Sequence, residues 1–173
     1  MSAIALEPLD RERDLGAVAA IYDRAADYLA LESGLCPDLA AQAFFDDQPP
    51  AGSEAPFKFG VTDNDGGLVA IGDLAYGYPD PDDAYLGLLL LVPESRGRGL
   101  GETIFAEVQR IARLHGASRL LVGVIEANTR ARAFWERQGF TLTRTSGPHV
   151  FGQRQHVVHR FELSLAGPCE KFP

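Results

Sequence analysis

Residues 91 to 102 read Leu-Val-Pro-Glu-Ser-Arg-Gly-Arg-Gly-Leu-Gly-Glu. An apolar run stops at Pro93, and a turn rich in glycine and arginine then opens an apolar-periodic helix. The first turn of a helix holds backbone N–H groups with no intrahelical acceptor, and the helix dipole adds about +0.5 charge there. Glycines at 97, 99 and 101 let a diphosphate approach the main chain without a Cβ in the way. Arg96 and Arg98 add charge and forked donors. The chemistry these residues suit is the gripping of a phosphate-bearing cofactor.

Spacing narrows the choice of cofactor. A P-loop needs Lys-Ser or Lys-Thr after its last glycine, and Glu102-Thr103 stands there instead. A dinucleotide fingerprint reads G-x-G-x-x-G, whereas this turn reads G-x-G-x-G. Arg96, Gly99 and Gly101 fit the pattern Arg-x-x-Gly-x-Gly. With Asn128-Thr-Arg-Ala-Arg-Ala-Phe-Trp-Glu-Arg-Gln-Gly-Phe140 one helix and one strand later, the segment resembles the GCN5-related N-acetyltransferase family. Its second motif reads Asn-x-x-Ala-x-x-Phe-Tyr-Glu-Lys-x-Gly-Phe. The sequence-specific likeness spans Leu89 to Phe140.

The resemblance implies acetyl-CoA as co-substrate, no metal, and direct attack by a primary amine on the thioester in a ternary complex. Gly97, Arg98, Gly99, Leu100, Gly101 and Glu102 would offer amides to the pyrophosphate, with Arg96 beside them. Leu89, Leu90 and Leu91 would pair with the pantetheine arm, and an amide there, assigned to Leu90, would polarise the thioester carbonyl as an oxyanion donor. Asn128 would bond the cofactor or cap its helix. Arg132 would reach a phosphate or stand in solvent. Trp135 would pack against the cofactor arm or the core.

Two departures bear on proton transfer. An alkylamine of pKa near ~10.4 is neutral to only about one part in a thousand at pH 7, so a proton must be taken from it. Many family members carry an acid before the loop or before the asparagine; the matching positions here are taken as Gly87 and Gly123. Asp73, Glu126, Glu32 and His149 remain as candidate bases, with Asp73 assigned the catalytic role. Trp135 stands where the family often has a tyrosine acid, and indole does not titrate here; Tyr76, Tyr78 or solvent would then supply the proton. These losses keep a catalytically silent acyl-CoA-binding module open as the rival reading. Acceptor recognition is expected from the first two helices, the Asp80–Asp83 turn and a surface loop at His149.

The remaining sequence must position this site. With 173 residues, one domain is expected over 1–165, followed by a loose tail over 166–173. A net charge of −8 argues against nucleic-acid binding. Two cysteines, no basic leader with a long apolar stretch, and an apolar run of only Leu88 to Val92 point to a reduced cytoplasmic protein away from membranes. A small-molecule or peptide amine is the expected partner, with a homodimer possible in such families.

Periodicity gives strands over 4–9, 57–62, 68–78, 85–92, 119–125, 140–145 and 156–165, and helices over 13–32, 37–45, 103–115 and from Asn128 to Gly139. The 85–92 strand is apolar enough to be buried on both faces. The order β-α-α-β-β-β-α-β-α-β-β is that of an α/β domain, and the resemblance implies a mixed, mostly antiparallel central sheet flanked by helices.

Overall fold

The computed structural model describes residues 4–50 and 53–166. Cys169 and almost all of the expected tail lie outside them. Seven strands form one sheet in the order β1-β2-β3-β4-β5-β7-β6. They are β1 (Glu7–Pro8), β2 (Phe57–Thr62), β3 (Leu68–Tyr76), β4 (Asp83–Leu91), β5 (Arg119–Ile125), β6 (Thr141–Phe151) and β7 (Arg154–Ser164). Every neighbouring pair is antiparallel except β4 and β5. The expected mixed, mostly antiparallel sheet is what forms.

Five helices flank it: α1 (Arg11–Arg24), α2 (Ala26–Glu32), α3 (Pro37–Asp46), α4 (Leu100–Leu114) and α5 (Thr129–Arg137). The Asp10 carboxylate accepts from the amides of Glu12 and Arg13 and starts α1 two residues before the expected point. The single helix expected over 13–32 is broken at Ala25, which leaves helical geometry at ψ 40°. Pro37 opens α3 in its first turn, as its fixed φ favours. The apolar faces of α1, α3 and α4 meet β2, β3, β4 and β5 around Ile21, Phe59, Ile71, Ile104 and Phe105, all essentially without solvent exposure.

Several boundaries differ from expectation for identifiable reasons. The opening strand shrinks to two residues because only Glu7 and Pro8 find partners, Gly60 and Phe59. Strand β3 stops at Tyr76 because Gly77 takes a positive φ of 72°. His149 does not sit in a loop. It pairs with His156 inside β6, and a register shift between Ser146 and His149 absorbs Gly147-Pro148. The Asp80–Asp83 turn is structural: Asp83 is buried and, with Asp80 and Glu162, holds the Arg119 guanidinium.

Strand β4 is the largest correction. It is not buried on both faces: Tyr85, Leu88, Leu89 and Leu91 are half-buried and Gly87 is exposed. The parallel β4–β5 ladder runs only from Asp83↔Arg119 to Leu86↔Val122. Beyond it the strands part. Across β4, Asp73 opposes Leu88 while Leu74 opposes Leu86, so Gly87 is an extra residue, a β-bulge. A bulge bends and twists its strand locally, and here it sits where β4 leaves β5.

Candidate functional site

The fork between β4 and β5 is the centre of the site. Val92 donates its N–H to the Val69 carbonyl at 3.0 Å. Antiparallel partners alternate between hydrogen-bonded and non-bonded pairs, so Leu90, opposite Ile71, also turns its amide toward β3. The expectation that the Leu90 amide serves as the oxyanion donor is therefore corrected. Leu89 and Leu91, opposite Gly72 and Ala70, turn their main-chain groups into the fork. The Leu90 side chain belongs to the core.

Past Leu91 a short 3-10 turn over Pro93–Ser95 leads into the glycine turn. Gly97 and Gly99 have φ of 69° and 81°, and Gly99 caps α4 in the left-handed region. From Gly97 to Glu102, six consecutive amides donate to no acceptor among the described residues, and the next amide, Thr103, is the first to bond back, to the Gly99 carbonyl. Unengaged main-chain donors at a helix N-terminus are the arrangement that suits an anion.

Ion pairs fix this turn from beneath. Arg96 donates from both Nη atoms to Asp27 of α2, at 2.5 and 3.2 Å, and from Nε to the Leu91 carbonyl at 2.9 Å. Arg24 at the end of α1 bonds Glu94 at 2.9 and 3.1 Å. The Arg96 guanidinium is occupied as a brace, which corrects its expected place at a phosphate. Arg98 is exposed and forms no ion pair among the described residues.

On the far side, α5 begins at Asn128, whose Oδ1 accepts from the Ala131 amide at 3.0 Å. Of its two readings, the cap is the one the bonding displays. Arg132 pairs with Glu136 on its own helix at 2.9 Å and is exposed. Trp135 is buried, edge-on to Phe105, Phe134 and Phe140. Of its two readings, packing in the core is the one the structure displays. Its neighbour Phe134 takes the outward place: a Cβ on Gly101 would stand 3.4 Å from the Phe134 ring and 3.9 Å from the Leu91 side chain. Sequence reasoning passed over Phe134, one residue and about 100° around the helix from Trp135.

At the base of the fork lies a cavity of about 220 Å³, lined by Asp47, Asp73, Tyr78, Tyr85 and Gly87 among others. Asp73 and Lys58 form a buried pair, Oδ2 to Nζ at 2.9 Å, with Lys58 4.9 Å over the Phe44 ring. Oδ1 of Asp73 is buried with no protein partner. Burial pushes the Asp73 carboxyl up from its ordinary value, and Lys58 offsets part of that rise.

The other candidate bases lie apart from this arrangement. Glu32 is held by the Tyr28 hydroxyl at 2.6 Å, Glu126 is exposed beside His159, and His149 bonds Ser146. Tyr76 is stacked on His115, with ring centres 3.7 Å apart. A larger hollow of about 460 Å³ opens at the β1–β2 edge beside Arg13 and Asp14; the first turn of α1 lines it, but the Asp10 carboxylate already accepts from the Glu12 and Arg13 amides there. Among the described residues no three His, Cys, Asp or Glu side chains group so as to hold a metal ion, and no helix is long and apolar enough to cross a membrane.

Comparison with known proteins gives the same answer from outside. The model of the acetyltransferase (GNAT) family matches residues 18–140. An acetyltransferase from Thermus thermophilus superposes with a TM-score of 0.72 at 24% identity, over 94% of this chain and 97% of that one. The ribosomal-protein-S18-alanine N-acetyltransferase from Escherichia coli gives 0.69 at 20% identity, over 98% of each chain. A spermidine N-acetyltransferase chimera from Vibrio cholerae gives 0.66 at 17%, over 95% and 96%. No curated protein matches the sequence.

Proposed function

Because the chain belongs to the GNAT family of acetyltransferases, we propose that it moves the acetyl group of acetyl-CoA onto a primary amine by direct attack in a ternary complex. The observation that carries this reading is the run of six unengaged amides from Gly97 to Glu102, set at the mouth of a strand pair that parts after Leu86 and Val122. Linked phosphates are the anions that such a run of donors suits, each charge-assisted bond contributing roughly 1.5–3 kcal/mol. Arg98 adds a neighbouring charge.

The pantetheine arm would lie in the fork, bonded by main-chain groups of Leu89 and Leu91 and flanked by Phe134. An amide of β4 aimed at the thioester oxygen stabilises the charge that grows there when nitrogen attacks. The Asp73 carboxylate takes the proton lost by the amine, the new C–N bond forms, and the C–S bond breaks with its electron pair leaving on sulfur. A thiol of pKa near ~8.5 leaves as thiolate without obligatory protonation, which suits a site where α5 turns Phe134 outward and buries Trp135. Relatives in fold act on acceptors as unlike as a ribosomal-protein alanine and spermidine. The acceptor class here is accordingly taken as a primary amine of a small molecule or peptide.

The test is thiol release from acetyl-CoA across a panel of an alkyl monoamine, an alkyl diamine, an amino sugar and an alanine-ended peptide, beside direct measurement of acetyl-CoA binding. Amine-dependent release supports the reading. Binding without release for any amine would leave the silent acyl-CoA-binding module in its place.

A further inference from the structure

Two glycines mark the point where β4 and β5 separate. Leu86↔Val122 is the last pair of the parallel ladder, and the next residue on each strand is Gly87 and Gly123. Both are exposed. At Gly87 a side chain would meet its neighbours at ordinary contact distance, whereas at Gly123 a neighbour already fills the place. A Cβ on Gly87 would stand 3.8 Å from Oδ2 of Asp73, reaching across from β3. A Cβ on Gly123 would stand 2.6 Å from the hydroxyl oxygen of Tyr85, far inside contact distance, with Val158 next at 3.5 Å. The Tyr85 ring therefore leans from β4 across to β5 and sets its oxygen in the space that any side chain at 123 would take. The same ring and the Asp73 carboxylate both line the cavity at the base of the fork, and no lysine, arginine or histidine lines it among the described residues.

We propose that the Tyr85 hydroxyl is the acceptor-binding group of this enzyme: it accepts an N–H bond from the attacking amine and aims the nitrogen's lone pair into the fork, while Asp73 takes the proton. The inference rests on the amine-acetylation reading above. Tyr85 does not compete for that proton, because burial raises its own pKa and keeps the phenol neutral. A neutral oxygen with free lone pairs is the fitting partner for an amine that must itself be neutral to attack. Gly123 is then a requirement of the site: it is the residue that lets the phenol reach its place.

Two substitutions test this by different routes to the same lesion. Tyr85→Phe removes one oxygen and keeps the ring. Gly123→Ala keeps the oxygen and displaces it. With the best amine of the panel, each is expected to lower kcat/KM for the amine by at least about tenfold, ~1.4 kcal/mol. Acetyl-CoA affinity and thermal unfolding of Tyr85→Phe should be unchanged. The double variant should be no worse than the worse single one, since residues acting through one contact are non-additive. Wild-type amine kinetics in Tyr85→Phe, an equal loss of acetyl-CoA affinity, or multiplying losses in the double variant would each overturn the assignment. If Gly123→Ala does not fold, the Tyr85→Phe kinetics decide alone. Amine turnover by the wild type with no effect of Tyr85→Phe defeats this inference only; no turnover by the wild type defeats the acetylation reading and this with it.

Discussion

Asp27 and Arg96 lock α2 to the underside of the glycine turn. The carboxylate takes both Nη atoms of the guanidinium, while Nε of the same group holds the Leu91 carbonyl at the end of β4. One arginine thus ties the first helical pair to the strand and to the turn that follows it. The break at Ala25 contributes, because Asp27 lies in the short helix that starts just beyond it.

Asp27→Asn should lower thermal stability only slightly, by less than about 1 kcal/mol, because the carboxylate is more than half exposed and such pairs are screened. Its effect should depend on pH. The hydrogen bond from Arg96 holds the Asp27 carboxyl below its ordinary value. The stabilisation is therefore complete above the ordinary aspartate pKa and is lost as pH falls through the lowered one. Melting curves taken down through that range should converge for the two proteins at the acid end. A gap that widens on acidification would contradict the brace.

The amide cradle calls for a substitution that leaves the fold alone. Gly99→Val is unsuitable, since φ of 81° strains any side chain there. Gly101→Ala is better. Its φ is ordinary, its new methyl would touch Phe134 and Leu91 at van der Waals distance, and alanine favours a helix over glycine. Acetyl-CoA affinity, measured by calorimetry, should fall by about tenfold or more, ~1.4 kcal/mol, with the melting temperature equal or higher. Unaltered affinity would place the cofactor elsewhere.

Asp73→Asn should cut kcat/KM by roughly 10²–10⁴-fold, the usual scale of a general base. It should also remove the acidic limb of the pH–rate profile. That limb should lie above the ordinary aspartate pKa, because burial raises this carboxyl. Lys58 would then be buried without its partner, so Asp73→Glu serves as the companion: partial activity with the limb retained is expected. A limb that survives in a folded Asp73→Asn protein would move the base elsewhere.

Trp135→Ala should act on the fold. Its indole lies among Phe105, Phe134 and Phe140, and emptying such a site costs about 3–5 kcal/mol. Trp135→Phe should recover most of the stability, with acetyl-CoA affinity near wild type. A Trp135→Phe protein of normal melting temperature but weakened acetyl-CoA binding would return this residue to the cofactor.

Patterns carried by neighbours in sequence were readable beforehand. Strands over Phe57–Thr62 and Arg119–Ile125 fell where alternation and apolar runs placed them, and Asn128 proved to be the cap its side chain suggested. The glycine turn was legible because residue type and order alone define such a cradle. Four features were not. Which of Leu89, Leu90 and Leu91 faces the fork depends on pairing parity with β3, and parity is set by partners far along the chain. The choice between Phe134 and Trp135 depends on the rotation of α5 against α4. The closeness of Tyr85 to Gly123 arises only where two strands diverge. The break at Ala25 had no signal, since alanine is the strongest helix former and neither glycine nor proline stands nearby in the helix.

The β6–β7 turn has its own consequence. Gln153 donates its amide to the Ser33 carbonyl at 2.8 Å, Gly152 lies against Leu35, and His156 donates from Nε2 to the Glu32 carbonyl at 2.7 Å. The end of α2 and the β6–β7 turn are therefore stitched together from the first and last fifths of the polypeptide. During synthesis the glycine turn, the fork and both of its glycines emerge well before that stitch can close. Because β7 pairs along the whole of β5 and buries Phe161 in the core, a ribosome-tethered chain lacking its final hairpin would have an unpaired β5 as well as an open stitch, so completion of the sheet and closure of the stitch are one late event.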